Sequence, residues 1–116
     1  MNSKQEYINL IIDKLKSTIN PYKVILFGSF AYGKPTKDSD IDIIVVTNDD
    51  FMPKNHREKS ELYLKVSNSL TEIIGQIPID IIVYSKPMYK KFIELSSMFS
   101  KKILKNGKVL YERNDQ

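Results

Sequence analysis

The residues best suited to chemistry lie in one short stretch, in which Gly28-Ser29 is followed by ten residues and then by Asp40-Ile41-Asp42. Side chains alternate between the two faces of a β-strand, so Asp40 and Asp42 would project from the same face. Carboxylates at that spacing can bind hard cations such as Mg²⁺, and a pair of metal ions about 4 Å apart could lie between them. Gly28 and Ser29 follow an apolar run, where a strand-to-helix turn would offer N–H groups and a hydroxyl to phosphate oxygens. The stretch therefore predicts a site for a metal-bound nucleoside triphosphate.

Each half of this pattern also has an ordinary explanation. A Gly-Ser pair after a strand is weak evidence alone, and Asp40 and Asp42 could be solvated or could cap a turn. Residues 40–46 read DIDIIVV, however, and carboxylates among so many isoleucine and valine side chains are costly to bury without a cation. The combination in this order therefore favours the nucleotide site.

Hydrophobic periodicity predicts the elements that position this stretch. Ser3 and Glu6 could form a capping box at the start of a first helix, which Asn20-Pro21 would end. Strands are predicted at 22–27, 40–46 and 79–84, with a helical turn at 30–32, a polar loop at 34–39, helices at 57–75 and 85–106, and a short edge strand at 109–111. This order predicts an α/β or α+β fold, in which a small mixed sheet of three to four strands is flanked by helices.

The two later helices each carry an apolar stripe. The inward residues of the first are predicted to be Leu62, Val66, Leu70, Ile73 and Ile74. The stripe of the second consists of Met88, Phe92, Leu95, Phe99 and Ile103. Both stripes are expected to pack on the sheet, and any part of the second that stays uncovered is the best candidate for a protein interface.

Composition narrows the classes of protein. The 116 residues, 41% hydrophobic and 28% charged, predict one globular domain over 1–116. The chain has no Cys, which excludes disulfides and Cys-based zinc sites and suits a cytoplasmic protein. No apolar run is long enough to span a membrane. The net charge is +4, but only Arg57 and Arg113 are arginines, so a nucleic-acid-binding module is disfavoured and the lysines are expected to be solvated.

The motif Gly28-Ser29, ten residues, Asp40-x-Asp42 resembles that of the nucleotidyltransferase superfamily that includes DNA polymerase beta and kanamycin nucleotidyltransferase. The short length, the opening helix and the closing segment from Phe92 to Glu112 look like the minimal nucleotidyltransferases (MNT). Members of that family are commonly paired, as antitoxins, with an all-helical HEPN toxin. The resemblance implies a polymerase beta palm-like fold and covers nearly the whole chain.

The resemblance also implies roles for individual residues. Gly28 and Ser29 would bind the nucleotide phosphates, and Asp40 and Asp42 would bind two Mg²⁺ ions and, through them, the nucleotide. The third carboxylate would be Asp80, which stands in the apolar strand IDIIVY and would help to hold the catalytic metal and activate the attacking hydroxyl. Asp40, Asp42 and Asp80 are thus the predicted catalytic and metal-binding residues.

The turn departs from the usual family pattern. Many members carry one or two arginines there, whereas this chain has Phe30 and Tyr32, and the nearest cations in the sequence are Lys34 and Lys37. The HEPN ribonuclease motif, an Arg followed closely by His, is missing because neither Arg precedes His56 in that way. The chain is therefore not expected to be the toxin component.

The resemblance implies a Mg²⁺-dependent nucleotidyltransferase that moves AMP from ATP to a hydroxyl group. The acceptor would be a tyrosine of a cognate HEPN toxin. The chain would be the antitoxin of a type VII-like pair, acting by AMPylation in the cytoplasm and able to form a hetero-oligomer with its partner. Two alternatives remain: a nucleotidyltransferase of antibiotics or other small hydroxyl compounds, and a catalytically idle MNT that neutralises its toxin by binding alone.

Overall fold

The computed structural model describes residues 3–33 and 40–113. The predicted polar loop at 34–39, with Lys34 and Lys37, lies outside the described residues. None of the helices in the described ranges is both long and apolar enough to cross a membrane.

Four strands form one mixed sheet in the order β3-β2-β1-β4. The strands are β1 (Lys23–Phe27), β2 (Ile41–Val46), β3 (Ile79–Tyr84) and β4 (Lys108–Glu112). The central strand β1 pairs antiparallel with both β2 and β4, and β2 pairs parallel with β3. Helices precede, connect and follow these strands: α1 (Lys4–Thr18), α2 (Ser29–Tyr32), α3 (His56–Ser69), α4 (Thr71–Ile74), α5 (Lys86–Glu94) and α6 (Met98–Asn106). The predicted mixed sheet flanked by helices is confirmed.

One face of the sheet packs against α1, α3 and α4. Alternate residues of the strands point to this face, so every second side chain joins the same core. The strand members of this core are Val24, Leu26, Ile41, Ile43, Val45 and Ile81. The helices contribute the apolar side of each amphipathic pattern, including Ile11, Leu15 and Val66, which are almost fully buried. The predicted capping box of Ser3 and Glu6 is present at the start of α1.

The opposite face, which we call the carboxylate face, packs against α5 and α6. Its core consists of Ile25, Ile44, Val46 and Ile103, with Phe27, Ile82, Tyr84 and Phe92 packed around it. The aromatic rings form a continuous row, with centroids 5.1 Å apart for Tyr84 and Phe92 and 5.7 Å apart for Phe92 and Phe99. The two helices thus cover one end of this face and leave the other end to polar residues.

Both long helices predicted from the sequence are broken in the structure. The helix predicted at 57–75 is divided into α3 and α4 at Leu70, whose backbone leaves the helical region while its side chain is fully buried. Ile74, predicted to point inward, is 38% exposed. The helix predicted at 85–106 is divided into α5 and α6, because Ser96 takes a positive φ of 50° and Ser97 caps α6. Leu95 at this corner is 69% exposed and leaves the predicted stripe.

Candidate active site

Two acidic side chains meet on the carboxylate face because of the register of β2 and β3. The parallel pairing sets Asp42 opposite Asp80, just as it sets Ile44 opposite Ile82 further along. Neighbouring strands lie about 4.8 Å apart, and paired residues of parallel strands project from the same face. Asp42 is half-buried and Asp80 is exposed, so both carboxylates lie where the cover of α5 and α6 ends.

The electrostatics of Asp42 show that this cluster concentrates negative charge. Burial raises the pKa of the Asp42 carboxyl, and the charges of Asp80 and Asp40 raise it further. Asp40, exposed, stands just before β2 and two residues from Asp42. In the described part of the chain, no ion pair neutralises any of these three carboxylates. A cation would therefore be attracted to this end of the sheet.

The turn after β1 lies directly against Asp42. The antiparallel pairing of β1 with β2 sets Phe27 opposite Asp42, so the next residue, Gly28, passes beside the carboxylate. Gly28 has φ 75° and ψ −161°, a conformation that essentially only glycine adopts. A Cβ at this position would collide with Oδ2 of Asp42 and lie 3.0 Å from its Cγ. Because Gly28 has no side chain, the backbone of the turn can lie against the Asp42 carboxylate.

Ser29 is the first residue of α2 and is half-buried. Its hydroxyl forms no hydrogen bond to another residue in the ranges that the structure describes, whereas Ser3, Ser85 and Ser97 use theirs to cap helices. The backbone oxygen of Gly28 accepts hydrogen bonds from the N–H groups of Ala31 and Tyr32, which fixes the turn. The Ser29 hydroxyl is thus held in place by the backbone and remains able to bind a ligand.

The donor set suits a divalent cation that is shared with a substrate. Among residues 3–33 and 40–113, no three acidic or histidine side chains converge closely enough to form a complete ligand set for a metal ion. Mg²⁺ does not need one, because it is usually bound by one or two carboxylates together with waters and substrate phosphates. Asp42 and Asp80, with Asp40 beside them, offer oxygen ligands and an excess of negative charge. These residues fit Mg²⁺ bound together with a nucleotide.

The structure thus brings Gly28, Asp42 and Asp80 together and places Asp40 just before β2, two residues from Asp42. It adds two residues of α6 that no sequence pattern marks as active-site residues. The Phe99 ring packs edge-on against Phe27, with centroids 5.6 Å apart, and so lies next to Asp42. The ammonium group of Lys102 lies 4.7 Å from the centroid of the Tyr32 ring in α2.

No signal in the sequence could have found these two residues. Phe99 belongs to an apolar stripe that is more often core than site, and Lys102 is one of many lysines. Their proximity to the turn depends on the break between α5 and α6, which sets the direction of α6.

The fold and the acidic site together define a nucleotidyltransferase. The family model described as "Polymerase beta, Nucleotidyltransferase" matches residues 9–116, and the chain belongs to this family.

Two similar proteins come from Methanocaldococcus jannaschii, and both are named "putative protein adenylyltransferase". One is 34% identical over 107 residues, which cover 92% of this chain and 93% of the relative. The other is 37% identical over 83 residues, which cover 69% of this chain and 77% of the relative.

Solved structures show the same fold at lower identity. A structure described as a "putative nucleotidyltransferase" from Sulfolobus solfataricus has a TM-score of 0.60 and 19% identity, and the match covers 95% of this chain and 81% of that one. A chain in a crystal structure of a toxin–antitoxin with AMP-PNP has a TM-score of 0.51 and 24% identity, with 91% and 73% covered. At these identities the likeness concerns the fold.

Proposed function

We propose that this chain is a single minimal nucleotidyltransferase domain that transfers AMP from ATP to a tyrosine hydroxyl of a HEPN toxin, and thereby acts as its antitoxin in the cytoplasm. The observation that carries this proposal is the pairing of Asp42 with Asp80 beside the Gly28 turn. The names of the two M. jannaschii relatives support protein as the acceptor. The fold that the chain shares with the toxin–antitoxin structure containing AMP-PNP supports ATP as the donor and a toxin as the partner.

In the proposed reaction, the acceptor hydroxyl oxygen attacks the α-phosphorus of ATP. The new O–P bond forms as the bond between the α-phosphorus and the oxygen bridging to the β-phosphate breaks. AMP is left on the acceptor, pyrophosphate leaves with the bonding electron pair, and the hydroxyl proton passes to a carboxylate. Mg²⁺ held by Asp40, Asp42 and Asp80 would supply charge neutralisation of the phosphates.

The residues of this chain position the reactants. The turn at Gly28 and the hydroxyl of Ser29 bind phosphate oxygens, because the turn lies directly against Asp42 and the Ser29 hydroxyl, at the start of α2, has no hydrogen-bond partner among the described residues. Asp80 is exposed and therefore reachable by an incoming hydroxyl, whose proton it accepts. Asp42 is less exposed and lies between Asp80 and the turn, where it helps to hold the nucleotide.

A protein acceptor also fits the surface next to the site. Leu95 and Met98, at the corner between α5 and α6, are 69% and 90% exposed. They flank Phe99, which contacts the Phe27 ring beside Asp42. Exposed apolar side chains next to a reactive centre are typical of a surface that another protein covers.

The test is the intact mass of the partner after reaction. The chain is incubated with ATP, Mg²⁺ and a candidate HEPN toxin, and mass spectrometry follows the partner. We expect adducts of ~329 Da, the mass that AMP adds to a hydroxyl when pyrophosphate leaves. Peptide mapping then identifies the modified residue, which is expected to be a tyrosine.

The matched control replaces both Asp40 and Asp42 by Asn, which keeps size and removes two anionic ligands. This variant should fold at least as well as the wild type, because repulsion between carboxylates is relieved, so that lost transfer cannot be ascribed to unfolding. If the wild type produces no adduct and both proteins neutralise the partner equally well, the chain acts by binding alone. Transfer to an added aminoglycoside but not to protein would instead identify a small-molecule enzyme.

A further inference from the structure

Helix α6 brings a cationic side chain beside α2, the short helix that follows Gly28. Ile103 anchors this helix in the core of the carboxylate face, where it is 2% exposed. Phe99, one turn earlier, packs against Phe27. Lys102 lies between these two contacts in the sequence, and its Nζ is 4.7 Å from the centroid of the Tyr32 ring. The contacts of α6 with the sheet therefore hold Lys102 beside α2.

Tyr32 connects this lysine with the turn. Ser29 and Tyr32 are the first and last residues of α2, and residues three apart in a helix lie on the same side, with Cβ atoms about 5–6 Å apart. The N–H of Tyr32 donates a hydrogen bond to the backbone oxygen of Gly28. The ammonium group of Lys102 thus lies beside the helix that begins at the proposed phosphate-binding residues, on the side from which α6 approaches.

The charge of Lys102 is available for a ligand. The ion pairs formed between described residues use Lys23, Arg57, Lys65 and Lys86, and none uses Lys102. Contact with an aromatic face is a weak interaction at an exposed site, whereas a charge-assisted hydrogen bond to phosphate is a strong one. The lysine side chain is exposed and flexible, so it can exchange the ring of Tyr32 for a phosphate oxygen.

A second lysine near α2 provides a comparison. The Nζ of Lys4 lies 5.1 Å from the centroid of the Phe30 ring. Lys4 belongs to α1, however, which packs on the face of the sheet opposite to Asp42 and Asp80. This ring and that of Tyr32 both pack against the core on the α1 side of the sheet, but Lys102 belongs to α6, which Ile103 anchors in the core of the carboxylate face, and it is therefore the better placed of the two.

We propose that Lys102 binds the β- and γ-phosphates of the nucleoside triphosphate. The inference rests on the proposed function, in which the α-phosphorus must lie near Asp42 and Asp80, where the hydroxyl attacks. The two outer phosphates then extend toward the turn and the lysine. A positive charge bound to these phosphates would stabilise the charge that develops on the leaving pyrophosphate, so Lys102 would contribute to the rate as well as to binding.

The test compares the affinities of ATP and AMP, measured by calorimetry in Mg²⁺, for the wild type and Lys102→Met. We expect the substitution to weaken ATP binding by about tenfold or more and to change AMP binding by less than twofold, because AMP lacks the outer phosphates. Lys101→Met is the matched control, since Lys101 is also exposed and differs mainly in its direction from the same helix. Lys102→Arg, which keeps the charge, should retain most of the affinity for ATP.

The following results would contradict either the proposed role of Lys102 or the proposed function. The proposed role of Lys102 is refuted if Lys102→Met binds ATP with an affinity within twofold of the wild type, or if its affinities for ATP and AMP fall equally. It is also refuted if Lys101→Met loses as much affinity for ATP, because the effect would then be due to net charge. Unchanged thermal melting excludes misfolding as the cause of a loss. If the wild type binds ATP and depends on Lys102 but transfers no AMP, only the proposed function falls.

Discussion

The close approach of Gly28 to Asp42 makes the effect of one added methyl group predictable. In Gly28→Ala, the new Cβ would collide with Oδ2 of Asp42 and lie 3.0 Å from Cγ and 3.3 Å from Cβ of the same side chain. The residue would also have to keep φ 75°, which alanine rarely adopts. Gly33→Ala is the matched control, because Gly33 also has a positive φ of 96° but a Cβ there would meet nothing within 4 Å.

Two effects set the expected loss of stability: the positive φ that alanine must keep, and the collision with Asp42. Backbone strain alone costs about 1–3 kcal/mol at either glycine, and the collision adds about 1–3 kcal/mol at Gly28. The unfolding entropy of a 116-residue chain is about 0.24 kcal/mol/K near its midpoint. Gly28→Ala should therefore melt about 4–12 °C below Gly33→Ala. The entropy that any Gly-to-Ala change removes from the unfolded chain is the same for both and cancels in the comparison.

Thermal melting at pH 7 is the assay, and Asp42→Ala completes a double-mutant cycle. Once the carboxylate is gone, Gly28→Ala should cost little more than Gly33→Ala, which gives a coupling energy of about 1–3 kcal/mol between positions 28 and 42. Equal melting temperatures for the two glycine variants, together with zero coupling, would refute the close approach.

Two further predictions concern neighbouring side chains. Ser29→Ala should weaken ATP binding or turnover by roughly 10- to 150-fold, the value of one charge-assisted hydrogen bond, with little change in thermal melting; unchanged kinetics would contradict a phosphate-binding role. Asp42→Asn should raise the melting temperature at pH 7, because the folded state raises the pKa of Asp42 and its ionisation then destabilises the fold. This gain should be small below the ordinary pKa of 3.8 and should grow as the pH rises through the raised pKa, so a gain independent of pH would argue against the electrostatic cause.

The sequence predicted the strands well because their signals are local. Runs rich in β-branched and aromatic residues predicted strands at 22–27, 40–46 and 79–84, and the observed bounds differ by at most one residue. The edge strand also forms, slightly longer than predicted, because its residues pair with β1. The helical turn predicted at 30–32, between Gly28 and Gly33, is present as α2.

The helix breaks could not be predicted in the same way. An apolar residue at helical spacing fits a continuous helix, and Leu70 continues the pattern even though its backbone leaves the helical region. The left-handed conformation of Ser96 has no marker such as Gly or Asn in the sequence. After each break the next helix buries a side chain in a core of the sheet, Ile73 of α4 on one face and Ile103 of α6 on the other, so we ascribe both breaks to tertiary packing.

Part of the active site could be predicted from local sequence patterns, and part of it depends on tertiary packing. The spacing of Asp40 and Asp42 at the start of β2 is local and could be read from the sequence. The position of Asp80 opposite Asp42 depends on the register of two parallel strands joined by a long connection, and it was expected only through the family resemblance. Lys102 and Phe99 reach the site through packing that no local pattern records.

The site also stands out from the rest of the fold on physical grounds. Gly28 holds a backbone conformation open essentially only to glycine, against the Asp42 carboxyl, whose pKa is raised by burial and by the charges of Asp80 and Asp40. The like charges around Asp42 destabilise the protein when no ligand is bound, and Asp42→Asn would remove this repulsion without loss of core packing. Unusual backbone conformations and unpaired like charges are retained where a ligand uses them. Their coincidence at Gly28 and Asp42, beside Asp80, is therefore an argument for a cation-dependent nucleotide site that does not depend on any relative.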